Sequence, residues 1–315
     1  MFVNFRGRST YSMLEGIGTM QNIVQQAKSL WQSAISITDR NGIYGAIDFY
    51  RTTKALDIQP IIGVELPYIS HRHLVESKRG VAEHLWTLTL VARNTSGYVN
   101  ILHLISEAYD YAVEGFPVLD NQLLSKYCKD VFVIVGALNS YAYQAIDQNN
   151  NTDQVYQHFD EIKNIVGKDA MVVAFSTQSY SAYPSLETLD QVCLRYVGDE
   201  GIRAIATSIF YYPFEEQKEA YETALAIKDN KRAYRDDSRK IPGKHHIHSE
   251  QEIRDTLQAN GHATDFVQQL IATSATLAQE IDIQLDIGQV LFPDYKVPEA
   301  IEELYHRYKD QLTQA

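Results

Sequence analysis

Through its first two thirds the chain alternates short apolar runs with stretches whose apolar residues recur at helical spacing. FVNF opens as a strand. TMQNIVQQAKSL follows as a helix, with Met20, Ile23, Val24, Ala27 and Leu30 on one face. SAISITD reads as a strand, YGAIDFYRTTKAL as a helix, QPIIGVELPYI and HLWTLTLVARN as two more strands. YVNILHLISEAYDY is helical, DVFVIVGAL a strand, QVYQHFDEIKNIV a helix and AMVVAF a strand. SLETLDQVCLRYVGDEG is a helix that stops on glycine, and IRAIATSIF is a further strand. This alternation predicts a parallel α/β sheet closed into a barrel. In such barrels the chemistry sits at the C-terminal ends of the strands. Those ends are Arg6 and Arg8, Asp39 and Arg40, Glu65, the region of Thr87, Ala137, and Ser208 to Tyr211.

After residue 213 the pattern changes. EEQKEAYETALAIKDNKRAY is a charged amphipathic helix, and RDDSRKIPGKHHIHSEQEI reads as an irregular loop with a short strand. FVQQLIATSATLAQEID is helical, LDIGQVLFPDYKVPEA extended, and IEELYHRYKDQLTQA a last helix. The expected division is a domain over 1–275, with barrel strands mainly in 1–212 and a helical and loop elaboration over 213–275. An extended linker and helix follow over 276–315.

The formal net charge of −12 argues against a domain whose main work is gripping nucleic-acid phosphates. Two cysteines, Cys128 and Cys193, make no disulfide framework, which fits a reducing cytosol. No apolar run reaches the length of a membrane span. A first strand carrying Asn4, Arg6 and Arg8 is not the apolar core of a signal peptide. The expectation is a cytoplasmic protein without a membrane partner. No P-loop and no G-x-S-x-G elbow is present, and GIGTMQ at 16–21 lacks dinucleotide-binding glycine spacing. His245, His246 and His248 are the densest histidine group. His246 and His248 could share a strand face and hold a metal, but a solvated surface strand is the preferred reading. His71 and His73 read as surface-loop residues, and nothing favours His84 as a ligand.

Arg6 and Arg8 pose the sharpest question. Residues two apart on a strand share a face, so two guanidiniums stand side by side on an otherwise apolar strand. The strings around them answer it. FVNFRGRSTYSMLEG, SITDRNGIYGAIDFYRTTKALDIQPIIGVE, LTLVARNTSGYVNILHLIS and AIATSIFYYPFEEQKEAYETALAIKDNKR together resemble the PHP (polymerase and histidinol phosphatase) domain of bacterial DnaE-type DNA polymerase III alpha subunits. LFPDYKVPE resembles that family's exit from the PHP domain towards the polymerase core. The resemblance covers nearly the whole chain and is most specific over the first 105 residues.

The resemblance implies a distorted seven-stranded (β/α) barrel of PHP type. Active members of the family hold up to three metal ions on nine histidine and acidic positions, and metal-bound water attacks a phosphoester. Position by position, the H-x-H pair falls on Arg6 and Arg8, and the next acid on Glu15. The TDH histidine falls on Arg40 and the GxE glutamate on Glu65. The remaining positions fall on Thr87, on Ala137 or Leu138, on Ile209 and on Tyr211. Only Glu15 and Glu65 keep a ligating side chain. A guanidinium is always protonated and offers no lone pair to a metal. The implied site is therefore degenerate: no catalytic residue and no metal or other cofactor in this chain. Either the old cavity is merely tolerated, or Arg6, Arg8 and Arg40 pair with Glu15, Glu65 and Asp39 and replace the metals by ion pairs; the second reading is preferred. The implied function is a scaffold or docking domain of a DNA-directed DNA polymerase, whose separate core would use Mg²⁺. Its partners would be that core, a proofreading exonuclease and other replisome proteins, with DNA reached only through the full-length protein. The alternatives are a metal-dependent phosphoesterase or 3′–5′ exonuclease, and an arginine-lined anion-binding module.

Overall fold

A computed structural model describes residues 1–70, 85, 87–232, 238–288 and 299–312. The readings of His71, His73 and His84, and most of the extended stretch ending in LFPDYKVPEA, lie outside the described residues. The chain divides into two compact units, Met1–Gln284 and Leu285–Ala315.

The strands of the first unit are β1 (Arg6–Gly7), β2 (Ala34–Arg40), β3 (Gln59–Pro67), β4 (Thr87–Ala92), β5 (Val131–Gly136), β6 (Met171–Ser176), β7 (Arg203–Thr207) and β8 (Ile209–Phe210). Its helices are α1 (Met20–Ser29), α2 (Ala46–Ala55), α3 (Thr95–Asp110), α4 (Asn121–Tyr127), α5 (Tyr141–Asn149), α6 (Thr152–Val166), α7 (Ser185–Glu200), α8 (Lys218–Lys228), α9 (Glu250–Ala259) and α10 (Thr264–Gln279). In the second unit α11 (Glu299–Leu312) carries Ile301, Leu304, Tyr305 and Tyr308 as one exposed apolar stripe.

β2 to β7 form one six-stranded sheet in chain order, while β1 pairs in parallel with β8. β2–β3, β5–β6 and β6–β7 are parallel, as the alternation predicts. β4 departs from it and runs antiparallel to both neighbours. No helix pattern lies between β3 and β4 in the sequence, and strands joined without a crossover helix pair antiparallel. Thr87 therefore starts its strand rather than ending it, yet stands opposite Pro67 at the mouth where β3 ends. The strands are Val- and Ile-rich and buried on both faces, as sheets covered by helices are. α2 packs on β3, α7 on β6 and α10 on β7.

FVNF is buried but belongs to no ladder; only Arg6 and Gly7 pair. Gly7 is required there, since a Cβ would lie 2.0 Å from the Phe210 ring. Side chains close the gaps that the ladders leave. Thr38 Oγ1 accepts from Gly7 N at 3.0 Å, tying β1 to β2. Asn4 ties the chain start to the β7–β8 junction: its Nδ2 donates to Arg6 O at 2.8 Å, and its Oδ1 accepts from Thr207 Oγ1 and Ser208 N, both at 3.0 Å. The strand positions thus run as a distorted seven-membered ring held partly by side-chain hydrogen bonds.

The loop read around the histidines is corrected by the structure. His245, His246 and His248 are buried and lie in no strand, and Ser249 then caps α9 through a capping box with Glu252. The domain boundary expected at 275 falls inside α10. The first unit runs on to Gln284 because Ile281 and Ile283 are buried, and Gln59 Nε2 donates to the carbonyls of Ala278 and Ile281 at 2.7 Å each.

Asn4→Ala removes three buried hydrogen bonds and leaves the Ser208 N–H without its acceptor. The expected cost is about 2–4 kcal/mol, read as a lower urea midpoint with an unchanged slope. A shift within error of wild type would show that the ring does not depend on Asn4.

Candidate functional site: an ion-paired pocket at the strand ends

Because Arg6 and Arg8 point to one face of β1, both reach the carboxylate at the end of β3. Arg6 Nε donates to Glu65 Oε1 at 2.9 Å and Arg8 Nη2 to Glu65 Oε2 at 2.8 Å. Glu65 is fully buried, and its two partners are nearly so. Arg6 Nη1 also donates to Leu138 O at 2.7 Å. That carbonyl is presented by a turn in which Gly136, Ala137 and Asn139 all take positive φ. At Gly136 only glycine fits, since a Cβ would lie 2.7 Å from Ala174 O. The repulsion between the two guanidiniums is thus offset by one shared carboxylate and one carbonyl.

Glu15 holds the outer half. Arg8 Nη1 donates to Glu15 Oε2 at 2.6 Å, Arg40 Nη1 lies 3.3 Å from Oε1, and Lys228 Nζ at the end of α8 pairs with the same oxygen. Asp39, expected within this network, makes none of its salt bridges. Its carboxylate accepts from Ser9 N and Ser9 Oγ, both at 2.8 Å, and from Ser12 Oγ at 2.6 Å. Asp39 therefore pins the turn that delivers Glu15, and it sits one residue out of phase with Arg40, which stands opposite Glu65 in the β2–β3 register.

The charges shift one another's ionisation. Burial pushes the Glu65 carboxyl up, but Arg6 and Arg8 outweigh it and hold the group below its ordinary value. For Glu15 burial is likewise opposed by Arg8, Arg40 and Lys228, which bring it to about 2. Arg8 is held more firmly protonated because Glu65 and Glu15 overcome its burial. Asp39 moves the other way, raised by burial in spite of its serine donors.

The remaining family positions close the pocket with neutral groups. Ile209 is buried in an apolar cluster with Tyr211, Tyr212, Tyr221 and Leu225. The Tyr211 ring stacks on Tyr221 at 5.0 Å and leans on His245 at 4.8 Å, and Arg8 Cζ lies 5.5 Å from its centroid. Tyr211 OH accepts from Asn139 Nδ2 at 2.7 Å, and burial raises its ionisation, so it stays a neutral phenol. Thr87 Oγ1 donates to Asn139 O at 3.2 Å. His245, expected on a solvated strand, instead supports Tyr211 from beneath, held neutral by burial with a pKa of about 4. The pocket's volume is about 350 Å³, and Arg8, Glu15, Arg40, Lys228, Arg239 and Lys240 give its wall its charge.

These residues do not fit the metal ions of active PHP sites. Two guanidiniums occupy both oxygens of Glu65, a third cation and a lysine crowd Glu15, and isoleucine and a hydrogen-bonded phenol stand where further ligands are needed. Lys228, Asn139, Tyr221 and the Leu138 carbonyl were not singled out in the sequence. No local signal marks them, because each meets its pocket partner from another part of the chain.

A curled α/β sheet thus gathers acids and cations at one strand-end mouth. The chain belongs to the PHP domain family, whose family model matches residues 4–178. It is 24% identical over 336 residues to the DNA polymerase III subunit alpha of Thermus aquaticus, covering 100% of this chain and 26% of that one. It is 28% identical over 236 residues to the DNA polymerase III subunit alpha of Helicobacter pylori (strain ATCC 700392 / 26695), covering 72% of this chain and 19% of that one. The chain thus spans about a quarter or less of the length of these curated relatives. Among solved structures, a two-domain protein from Bacteroides vulgatus containing a predicted PHP-like metal-dependent phosphoesterase aligns with a TM-score of 0.41 and 12% identity, over 73% of this chain and 56% of that one.

Both network glutamates are held below their ordinary value, and Glu15 falls from 4.5 to about 2. The stabilisation from Glu15 is complete above pH 4.5 and is lost as pH falls towards 2, and that from Glu65 is lost in the same acid direction. Glu15→Gln should lower stability at neutral pH and flatten this acid limb in urea melts taken across the range. An unchanged limb would remove Glu15 from the network.

Proposed function

We propose that the chain is a non-catalytic PHP domain that serves as the N-terminal scaffold of a DNA polymerase III alpha subunit. The observation that carries this is the buried Glu65 carboxylate with a guanidinium on each oxygen, where phosphoester hydrolysis would need metal-bound water. The full-length parent would be a cytoplasmic DNA-directed DNA polymerase in chromosome replication, its Mg²⁺ held by a polymerase core that follows this domain. On this reading the domain docks against that core and offers its outer surface to a proofreading exonuclease or other replisome proteins. Among the described residues no helix is long and apolar enough to cross a membrane. Two measurements test the reading. The reading frame should continue past Ala315 into a polymerase core, and the purified chain should hydrolyse neither p-nitrophenyl phosphate nor a DNA 3′ end with Mn²⁺ or Zn²⁺. Metal-dependent turnover abolished by Glu65→Gln would return the phosphoesterase reading.

One observation favours a second, compatible role as an anion-binding module. Among the described residues, Arg8, Arg40, Lys228, Arg239 and Lys240 gather with Glu15 on the pocket wall. Clustered arginines suit phosphate oxygens. Pyrophosphate should raise the melting temperature of the chain, and Lys228→Ala should cancel the rise. No rise with wild type would dismiss this role and leave the scaffold reading intact.

A further inference from the structure

A second group of donors lies in the C-terminal elaboration and uses none of the nine strand-end positions. Glu215 stands in the single 3₁₀ turn before α8, His246 in the buried segment before α9, and Glu252 in the first turn of α9. Three separate pieces of chain thus bring two carboxylates and one imidazole together, with donor atoms all within 4.8 Å of one another. His246 Nε2 already lies 2.9 Å from Glu252 Oε1. Neighbouring donors on a tetrahedral zinc ion stand about 3.3 Å apart, so an ion taking the place of the shared hydrogen needs this pair to open only slightly. Glu252 is held for that role, because its other oxygen accepts from Ser249 N at 2.9 Å and Ser249 Oγ at 2.8 Å. Such anchoring of a ligating carboxylate is what metal sites use to fix their ligands.

Glu215 closes the set from the solvent side. Its partner is Lys244, whose Nζ lies 2.6 Å from Oε1, with both side chains well exposed at 61% and 58%. An exposed pair of this kind is worth little, so the ammonium is readily displaced by a divalent ion. Glu252 and Lys244 also form part of the wall of a cavity of about 300 Å³. The same wall holds Thr177, whose buried Oγ1 has no hydrogen-bond partner among the described residues.

We propose that Glu215, His246 and Glu252 form a site for one divalent transition-metal ion of zinc type, with a fourth position left to water. Two carboxylates balance the ion's charge, and the imidazole favours zinc over magnesium or calcium. The site lies outside the strand-end pocket and would join the start of α8 to the start of α9.

The test is zinc titration of the full chain in competition with a chromophoric chelator, with cobalt substitution to report coordination through its visible absorption. One zinc per chain is expected. Glu215→Gln, a change at an exposed residue, should weaken binding at least tenfold, and His246→Gln should abolish both binding and the cobalt bands. Glu15→Gln in the strand-end pocket should leave zinc affinity unchanged. No zinc binding, or binding that Glu215→Gln does not alter, overturns the site. Zinc lost on Glu15→Gln but kept on Glu215→Gln also overturns it, and separately overturns the reading of the pocket as ion-paired.

Discussion

The structure turns on one carboxylate. Glu65 lies near the end of β3, and through Arg6 and Arg8 it fixes β1, which has no ladder to β2 and only a two-residue ladder to β8. Arg6 carries the connection on to the turn after β5 through Leu138 O, and Arg8 carries it to Glu15 in the turn after β1. Removing Glu65 would leave two guanidiniums buried without their counter-charge, a loss of the size seen when one member of a buried pair is deleted, about 3–5 kcal/mol. The pair's net worth against an apolar alternative is far smaller, because desolvation consumes most of the attraction. What the network contributes is therefore closure in one register. Apolar side chains at positions 6, 8 and 65 could fill the space but would not choose among the ways of docking a strand that has so few backbone partners.

The division of labour around Asp39 follows from strand geometry. Neighbouring residues on β2 point to opposite faces, so Asp39 and Arg40 cannot both enter the same pocket. Arg40 turns towards Glu15 and Asp39 towards Ser9 and Ser12. The carboxylate that looked like a network member is instead the clip that shapes the turn bearing Glu15.

Much of this was legible in the sequence. Strands β2 to β7 were readable because each is a short, mostly apolar run, and helices α1, α2, α3, α6, α7, α8, α10 and α11 because their apolar residues recur at helical spacing. α4 and α5 escaped because they are short, and α9, as long as α1, because it buries only Ile253 and Leu257; its start was visible only in its Ser249–Glu252 capping box. The direction of β4 is a property of pairing rather than of composition. The histidine segment misled because its charged neighbours suggested solvent, whereas His245 lies between Ile209, Tyr183 and Tyr211 brought from elsewhere in the chain. Lys228 and Asn139 join the pocket only through tertiary contacts that no local pattern encodes.

The residue types in the pocket also set the conditions under which it holds together. A site built on histidines binds its ions only while the imidazoles are neutral, and it loosens as pH falls through about 6.5. Guanidiniums do not titrate in that range, and Glu15 is held at about 2 with Glu65 shifted in the same direction. Arginine also brings its own counter-charge, so the ring closes on folding without waiting for a metal to bind. A lysine at position 6 would supply the charge but not the planar fork that engages Glu65 and the Leu138 carbonyl at once. On the function proposed above, arginine at these positions forgoes metal-dependent hydrolysis, and the ion pairs hold the strand ends without metal and through mildly acidic pH.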